Sequence, residues 1–175
     1  TTTSGLWNGQ WNRSVPTFVE FNPPMDILHV SAGYLHTCAL LSNYSVYCWG
    51  ENDRGQLGDG TQTNSNVPNW VDLGTNASPV FVDAGGWHTC AVMDNGSVFC
   101  WGANIYGASG GTRPNCPSQG TSGACDRFNP AQVELDNNTA IALSMGYSHS
   151  CAIMSNHSLW CWGPDSNSDT SDSRI

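Results

Sequence analysis

The stretch AGYLHTCALLSNYSVYCWG (residues 32–50) returns as AGGWHTCAVMDNGSVFCWG (84–102) and again as MGYSHSCAIMSNHSLWCWG (145–163). Recurrence of one pattern at this interval is the mark of a repeat architecture, in which each unit buries its apolar face against a neighbour. A second segment recurs upstream of each copy: VPTFVEF (15–21), VPNWVDL (67–73) and NPAQVEL (129–135). Pro16, Pro68 and Pro130 precede the next motif histidine by 20, 20 and 19 residues. The units therefore read as 1–50 (with an N-terminal extension), 51–102 and 103–163, followed by a polar tail at 164–175.

Each unit reads as four short strands, in the first at 17–21, 27–31, 36–41 and 45–49. Alternating β-branched and aromatic residues support them, and Gly, Asn, Ser and Pro separate them. Pro16 and its counterparts are placed at the opening of the first strand, where a missing N–H does least harm. Helical periodicity is absent, so the fold class is all-β.

Cysteine spacing fits such hairpins. In an antiparallel hairpin the numbers of paired residues sum to a constant. The pairs Cys38/Cys48, Cys90/Cys100 and Cys151/Cys161 centre on Asn43, Asn95 and Asn156. The cysteines thus face each other across two strands, and the Asn at the tip is a residue that tolerates positive φ. The remaining two, Cys116 and Cys125, bracket a loop inserted in the third unit and pair by proximity. Four local disulfides use all eight cysteines and imply an oxidising, extracellular compartment. Closing each ten-residue loop contributes roughly 2–3 kcal/mol. The start TTTSGLW lacks an initiator Met and a leader, so the chain reads as a mature or excised form.

Glycosylation sequons agree with that compartment. They fall at Asn12, Asn43, Asn76, Asn95, Asn137 and Asn156. Three of these are the hairpin tips, and Asn76 and Asn137 match each other between units. N-linked glycans are expected, although Asn and Ser are also ordinary turn residues.

Charge excludes other classes. The net charge is −9, and the five basic residues are all arginine. A chain without a basic face does not neutralise phosphates, so nucleic acid is not an expected partner. Anionic membrane surfaces are disfavoured for the same reason, and no apolar run is long enough to insert as a helix. His36, His88 and His149 recur once per unit and could ring a metal, but a repeated structural hydrogen bond accounts for them better. Asp53, Asp59, Asp94 and Asp126 read as turn residues rather than an acid–base pair. No catalytic set, metal site, small-molecule substrate or cofactor is expected, and so no enzyme. Trp49, Trp101 and Trp162 read as core between units, whereas Trp7, Trp11, Trp70 and Trp87 are irregular enough to include surface anchors.

The units resemble the repeats of the regulator of chromosome condensation family. The residues that carry the likeness are Ala32-Gly33, His36-Thr37, Tyr47 to Gly50, and the run from Glu51 to Thr61, ENDRGQLGDGT. The paired cysteines are similar to the secreted variant of this repeat, as in crinkly-type receptor ectodomains. The resemblance implies three four-stranded antiparallel blades, disulfide-stapled, forming an open or partial β-propeller. The second linker, YGASGGT (106–112), departs from the pattern by losing Gln-Leu. The nucleotide-exchange activity of nuclear members is not carried over, because fold does not fix function.

Propellers close with about four to eight blades. Three blades leave two apolar ends with open edges, which need a cover. The chain could be a piece of a longer propeller, part of a ring of copies, or a subunit stacked head to tail into a filament. The expected function is an extracellular glycosylated structural protein that self-assembles end to end, a homo-oligomer or polymer. The alternatives are a ligand- or protein-binding propeller module, or a fragment of a receptor or adhesin ectodomain.

Overall fold

The computed structural model describes residues 18–110 and 125–164. Eleven strands form three antiparallel sheets in sequence order among these residues. The first sheet, blade 1, contains β1 (Ile27–Ala32), β2 (His36–Leu41), β3 (Val46–Gly50) and β4 (Ser65–Trp70). Blade 2 contains β5 (Pro79–Ala84), β6 (His88–Met93), β7 (Val98–Gly102) and β8 (Arg127–Gln132). Blade 3 contains β9 (Ala140–Met145), β10 (Ser150–Met154) and β11 (Leu159–Trp162). A single turn of 3₁₀ helix at Ile105–Gly107 interrupts the linker after β7.

Two expectations are corrected here. The proline-bearing strand does not open a unit. It closes the preceding sheet, since β4 pairs with β3 through Cys48–Asn69 and β8 pairs with β7 through Cys100–Ala131. The outermost strand of a sheet has one free edge, and that edge tolerates a residue without an N–H. Accordingly, the third sheet has three strands rather than four among the described residues, and Phe18–Phe21 forms no strand.

The central hairpins follow the cysteine arithmetic. Cys38 lies opposite Cys48, Cys90 opposite Cys100 and Cys151 opposite Cys161. Each pair is a disulfide. Cys125 is buried and oxidised, and Cys116 lies outside the described residues. The hairpin tips differ from expectation by one position. Positive φ falls on Tyr44, Gly96 and His157, the residues after the asparagines. Leu41, Met93 and Met154 accept a hydrogen bond from those same residues, which makes each tip a tight turn followed by a left-handed residue. The Asn side chain instead braces the turn, with Asn95 Oδ1 accepting from Ser97 N at 3.0 Å and Ser97 Oγ at 2.7 Å. Asn43 and Asn156 do the same with Ser45 and Ser158.

The core is a series of seams between blades. Leu40, Val46, Leu57, Val71 and Leu73 of blade 1 and its linkers meet Val82, Ala91, Met93 and Trp101 of blade 2. Val92, Val98, Val133 and Leu135 likewise meet Ala140, Leu143, Ala152 and Met154 of blade 3. The loop after β3 is held by Asn52, whose amide nitrogen donates to Asp59 and Thr61 while its oxygen accepts from Leu57 N at 3.0 Å. These bonds to Asp59, together with those from Thr61 and Asn69, hold its carboxyl below the usual range against the opposing effect of burial.

Candidate functional site

Seams are built from a polar relay as well as apolar packing. His36 Nε2 meets Thr89 Oγ1 at 2.9 Å, and Thr89 donates to the Gln56 carbonyl at 3.0 Å. One blade on, His88 Nε2 meets Ser150 Oγ at 2.9 Å, and Ser150 donates to the Ala108 carbonyl at 2.9 Å. His36 and His88 thus each reach the hydroxyl after the motif histidine of the next blade. The two relay histidines are held neutral. Burial lowers the pKa of His36 to about 3 and that of His88 to about 4, and in each case the next histidine along the stack lowers it further. A second strut crosses between the first strands of neighbouring blades. Ala84 N donates to Ser31 Oγ at 3.0 Å, and Met145 N donates to Asp83 Oδ2 at 2.9 Å.

The relay stops at both ends. Among the described residues, neither the His149 ring nor the Thr37 hydroxyl has a hydrogen-bonding side-chain partner. Trp101 Nε1 donates to the Gln56 carbonyl across the first seam. The indole N–H of Trp162 is buried without an acceptor among those residues.

Apolar surface follows the same pattern. Leu40 and Val46 of blade 1 are 2% and 0% exposed, and Val92 and Val98 of blade 2 match them at 2% and 0%. The corresponding side chains of blade 3, Ile153 and Leu159, are 43% and 68% exposed. They flank the half-buried Cys151–Cys161 disulfide on a face that nothing described covers. At the opposite end the equivalent face is partly closed by the chain's own N-terminal segment. Phe21, 8% exposed, packs on Ala39, Leu41 and Trp49, with Val19 and Met25 beside it.

Most of the remaining sequence-derived residues that are described lie on the outside. Asn43, Asn95 and Asn156 are exposed at the hairpin tips, and Asn76 and Asn137 are exposed in the connections between blades. Asn12 lies outside the described residues. Asp53 and Asp94 sit in exposed turns, whereas Asp126 is buried and paired with Arg54 at 3.1 Å. An exposed aromatic cluster is one feature that motif reading misses. Tyr34, Trp87 and Tyr147 meet edge to face, with ring centroids 4.6 to 5.9 Å apart. Tyr34 and Tyr147 share a motif position, but Gly86 takes it in the second unit and Trp87 follows one residue later. The shift hides the cluster from an alignment of the units. The hydroxyls of Thr89 and Ser150 were legible as a repeated Thr or Ser after each histidine. Their partners were not.

Comparison with known proteins agrees with this architecture. The regulator of chromosome condensation (RCC1) repeat matches at residues 27–56, 80–108 and 140–169. A second model of the same repeat matches 45–92 and 95–153. A bifunctional serine/threonine-protein kinase/NEDD4-like E3 ubiquitin-protein ligase of Dictyostelium discoideum is 30% identical over 86% of this chain, which spans 8% of that protein. The human regulator of chromosome condensation is 38% identical over 57% of this chain, which spans 23% of it. Among solved structures, yeast RCC1 (Prp20) bound to Kap60 superposes with a TM-score of 0.66 at 22% identity, covering 78% of this chain and 32% of that one. The crinkly ectodomain of the Arabidopsis thaliana receptor kinase ACR4 gives 0.51 at 23%, covering 81% and 41%. This chain, three stapled blades with a relay of histidines through their seams, belongs to the RCC1 repeat family.

Proposed function

We propose that this chain is an extracellular, N-glycosylated structural module that binds protein through the ends of its blade stack, and that it self-assembles end to end. The observation that carries this reading is the exposure of Ile153 and Leu159 at positions that the other two blades bury. A face of that composition in water is a binding surface or an aggregation hazard. Burying both side chains contributes roughly 2–4 kcal/mol. Three hairpin disulfides support an oxidising compartment, and five exposed sequons support attached sugars. Yeast RCC1 (Prp20), which shares this fold, was solved bound to another protein, Kap60. The role is binding rather than catalysis, since the recurrent histidines are engaged in seams.

Light scattering on the purified chain, across a hundredfold range of concentration, tests the reading. A mass well above 18.8 kDa, rising with concentration, is expected. A constant single-chain mass overturns it.

A second reading, a ligand-binding rim, is favoured by the Tyr34, Trp87 and Tyr147 cluster. Exposed aromatic faces of this kind stack on sugars and flat cations. A glycan array probed with wild type and with Trp87→Ala separates the two: a signal lost in the variant supports the rim.

A further inference from the structure

The rings of Tyr34, Trp87 and Tyr147 stand beside two carboxylates that pair with no cation among the described residues. We infer that this surface docks a cationic side chain, an arginine above all, carried on a loop of a partner protein. The inference rests on the rim reading above and names its occupant.

The platform is fixed by the backbone. Each ring belongs to the turn that joins the first two strands of a blade, and the three turns are bonded in series. Tyr34 N donates to the Gly85 and Gly86 carbonyls at 3.3 Å, and Gly86 N donates to the Tyr147 carbonyl at 3.0 Å. A Cβ on Gly86 would collide with that carbonyl oxygen and with the Tyr147 ring. Glycine there lets the third turn close in, and Trp87 beside it supplies the middle ring. Tyr34 and Tyr147 are 60% and 54% exposed, and Trp87 is half-buried between them. Apolar area that is held this firmly and still faces water marks a binding surface.

The repeats place the carboxylates. The loops after β3 and β7 are built alike, with Asn52 Oδ1 accepting from Leu57 N at 3.0 Å and Asn104 Oδ1 from Ser109 N at 3.1 Å. Glu51 N donates to the Leu35 carbonyl, and Ala103 N to the Trp87 carbonyl, both at 2.8 Å. In the second of these loops Ala103 and Ile105 line a cleft with Trp87 and Tyr147, where blades 2 and 3 meet. The matching positions in the first loop are Glu51 and Asp53. They stand beside Leu35, the chain neighbour of Tyr34. Burial and the negative charge of Asp53 push the Glu51 carboxyl above its ordinary value. Glu51 accepts one bond, from Gln56 Nε2 at 3.3 Å, and Arg54, next to Asp53, is engaged with Asp126 instead.

A ring face attracts a cation through its quadrupole, tryptophan most strongly. A guanidinium lies flat on such a ring while its edge donates to a carboxylate, a geometry the compact ammonium of lysine cannot match. Rings alone would take any apolar face, and carboxylates alone would take any cation. Their juxtaposition selects arginine, and the net charge of −9 steers a basic partner inward.

Calorimetric titration of the chain at low salt, with a capped tri-arginine peptide and with its tri-citrulline counterpart, tests this. Citrulline keeps the shape and removes the charge, so the arginine peptide is expected to bind about tenfold more tightly or better. Trp87→Leu keeps apolar bulk without the indole face and should weaken binding about tenfold. Tyr34→Leu, at an exposed position, should act in the same direction and keeps the test open if the Trp87 variant fails to fold by circular dichroism. Glu51→Gln should weaken binding about threefold. Asp94→Asn, at the far end of β6, should leave it unchanged. If the two peptides bind alike, or if the ring variants bind as the wild type does, arginine is not the occupant. If Asp94→Asn weakens binding as much as Glu51→Gln, the attraction is that of the whole acidic surface and the site is wrong. In each of these cases a glycan-array signal lost in Trp87→Ala leaves the rim reading standing, and the lack of one removes both.

Discussion

A buried neutral histidine makes the seams sensitive to acid. The unfolded chain protonates His36 and His88 near the ordinary value of 6.5, whereas the folded chain resists until about 3 and about 4. The unfolded state therefore binds more protons throughout that window, so stability rises with pH across it. It is fully present above about 6.5 and declines as pH falls, by up to about 1.4 kcal/mol per pH unit for each histidine. Urea midpoints measured from pH 7.5 to 4.5 should fall steadily, and replacement of His88 by Gln should flatten the curve. The hydroxyl partners matter equally. Thr89→Val leaves His36 Nε2 without its bond inside the seam, at a cost of about 1–3 kcal/mol in urea unfolding. Glycine at 85 is also fixed by this packing. A Cβ there would lie 2.5 Å from His88 Cε1 and 2.6 Å from the Gly146 carbonyl. Gly85→Ala is therefore expected to lower the melting temperature markedly, with the backbone carbonyl unable to give way.

Elements show where sequence is sufficient. Hairpins are local, and their cysteine pairs could be read from spacing, whereas the Asn-Ser brace, with positive φ on the next residue, was not. Removing the middle staple as Cys90→Ala with Cys100→Ala should cost about 2–3 kcal/mol in thermal unfolding under non-reducing conditions. Ser97→Ala removes a hydroxyl bonded to Asn95 and the sequon together. It should change stability by less than about 1 kcal/mol, and, on the proposed glycosylation of Asn95, the intact mass of protein expressed through a secretory host should drop by one glycan. The fourth strand was misassigned because its partner is decided by a connection rather than by its own residues. Val67–Leu73 reads equally well as the end of one sheet or the start of the next, and only pairing to Cys48 settles it. The end faces were anticipated as a class from the number of units. The particular side chains on them, Ile153 and Leu159, required knowing which side of each hairpin looks forward along the stack.

A stack of three blades has one interior member. Blade 2 buries both its faces in seams, whereas blade 3 buries one. In repeat arrays, stability is a sum of unit terms and neighbour terms, so the ends should open first. Hydrogen exchange should protect β5–β7 longest and release β9–β11 earliest. The tryptophan that follows each second cysteine adds a practical dividend: Trp101 is sealed within the first seam, Trp162 borders the second, and Trp49 lies under Phe21. Each boundary in the series thus carries its own fluorophore, and emission colour from single-tryptophan variants would tell an observer which boundary had parted, and in what order.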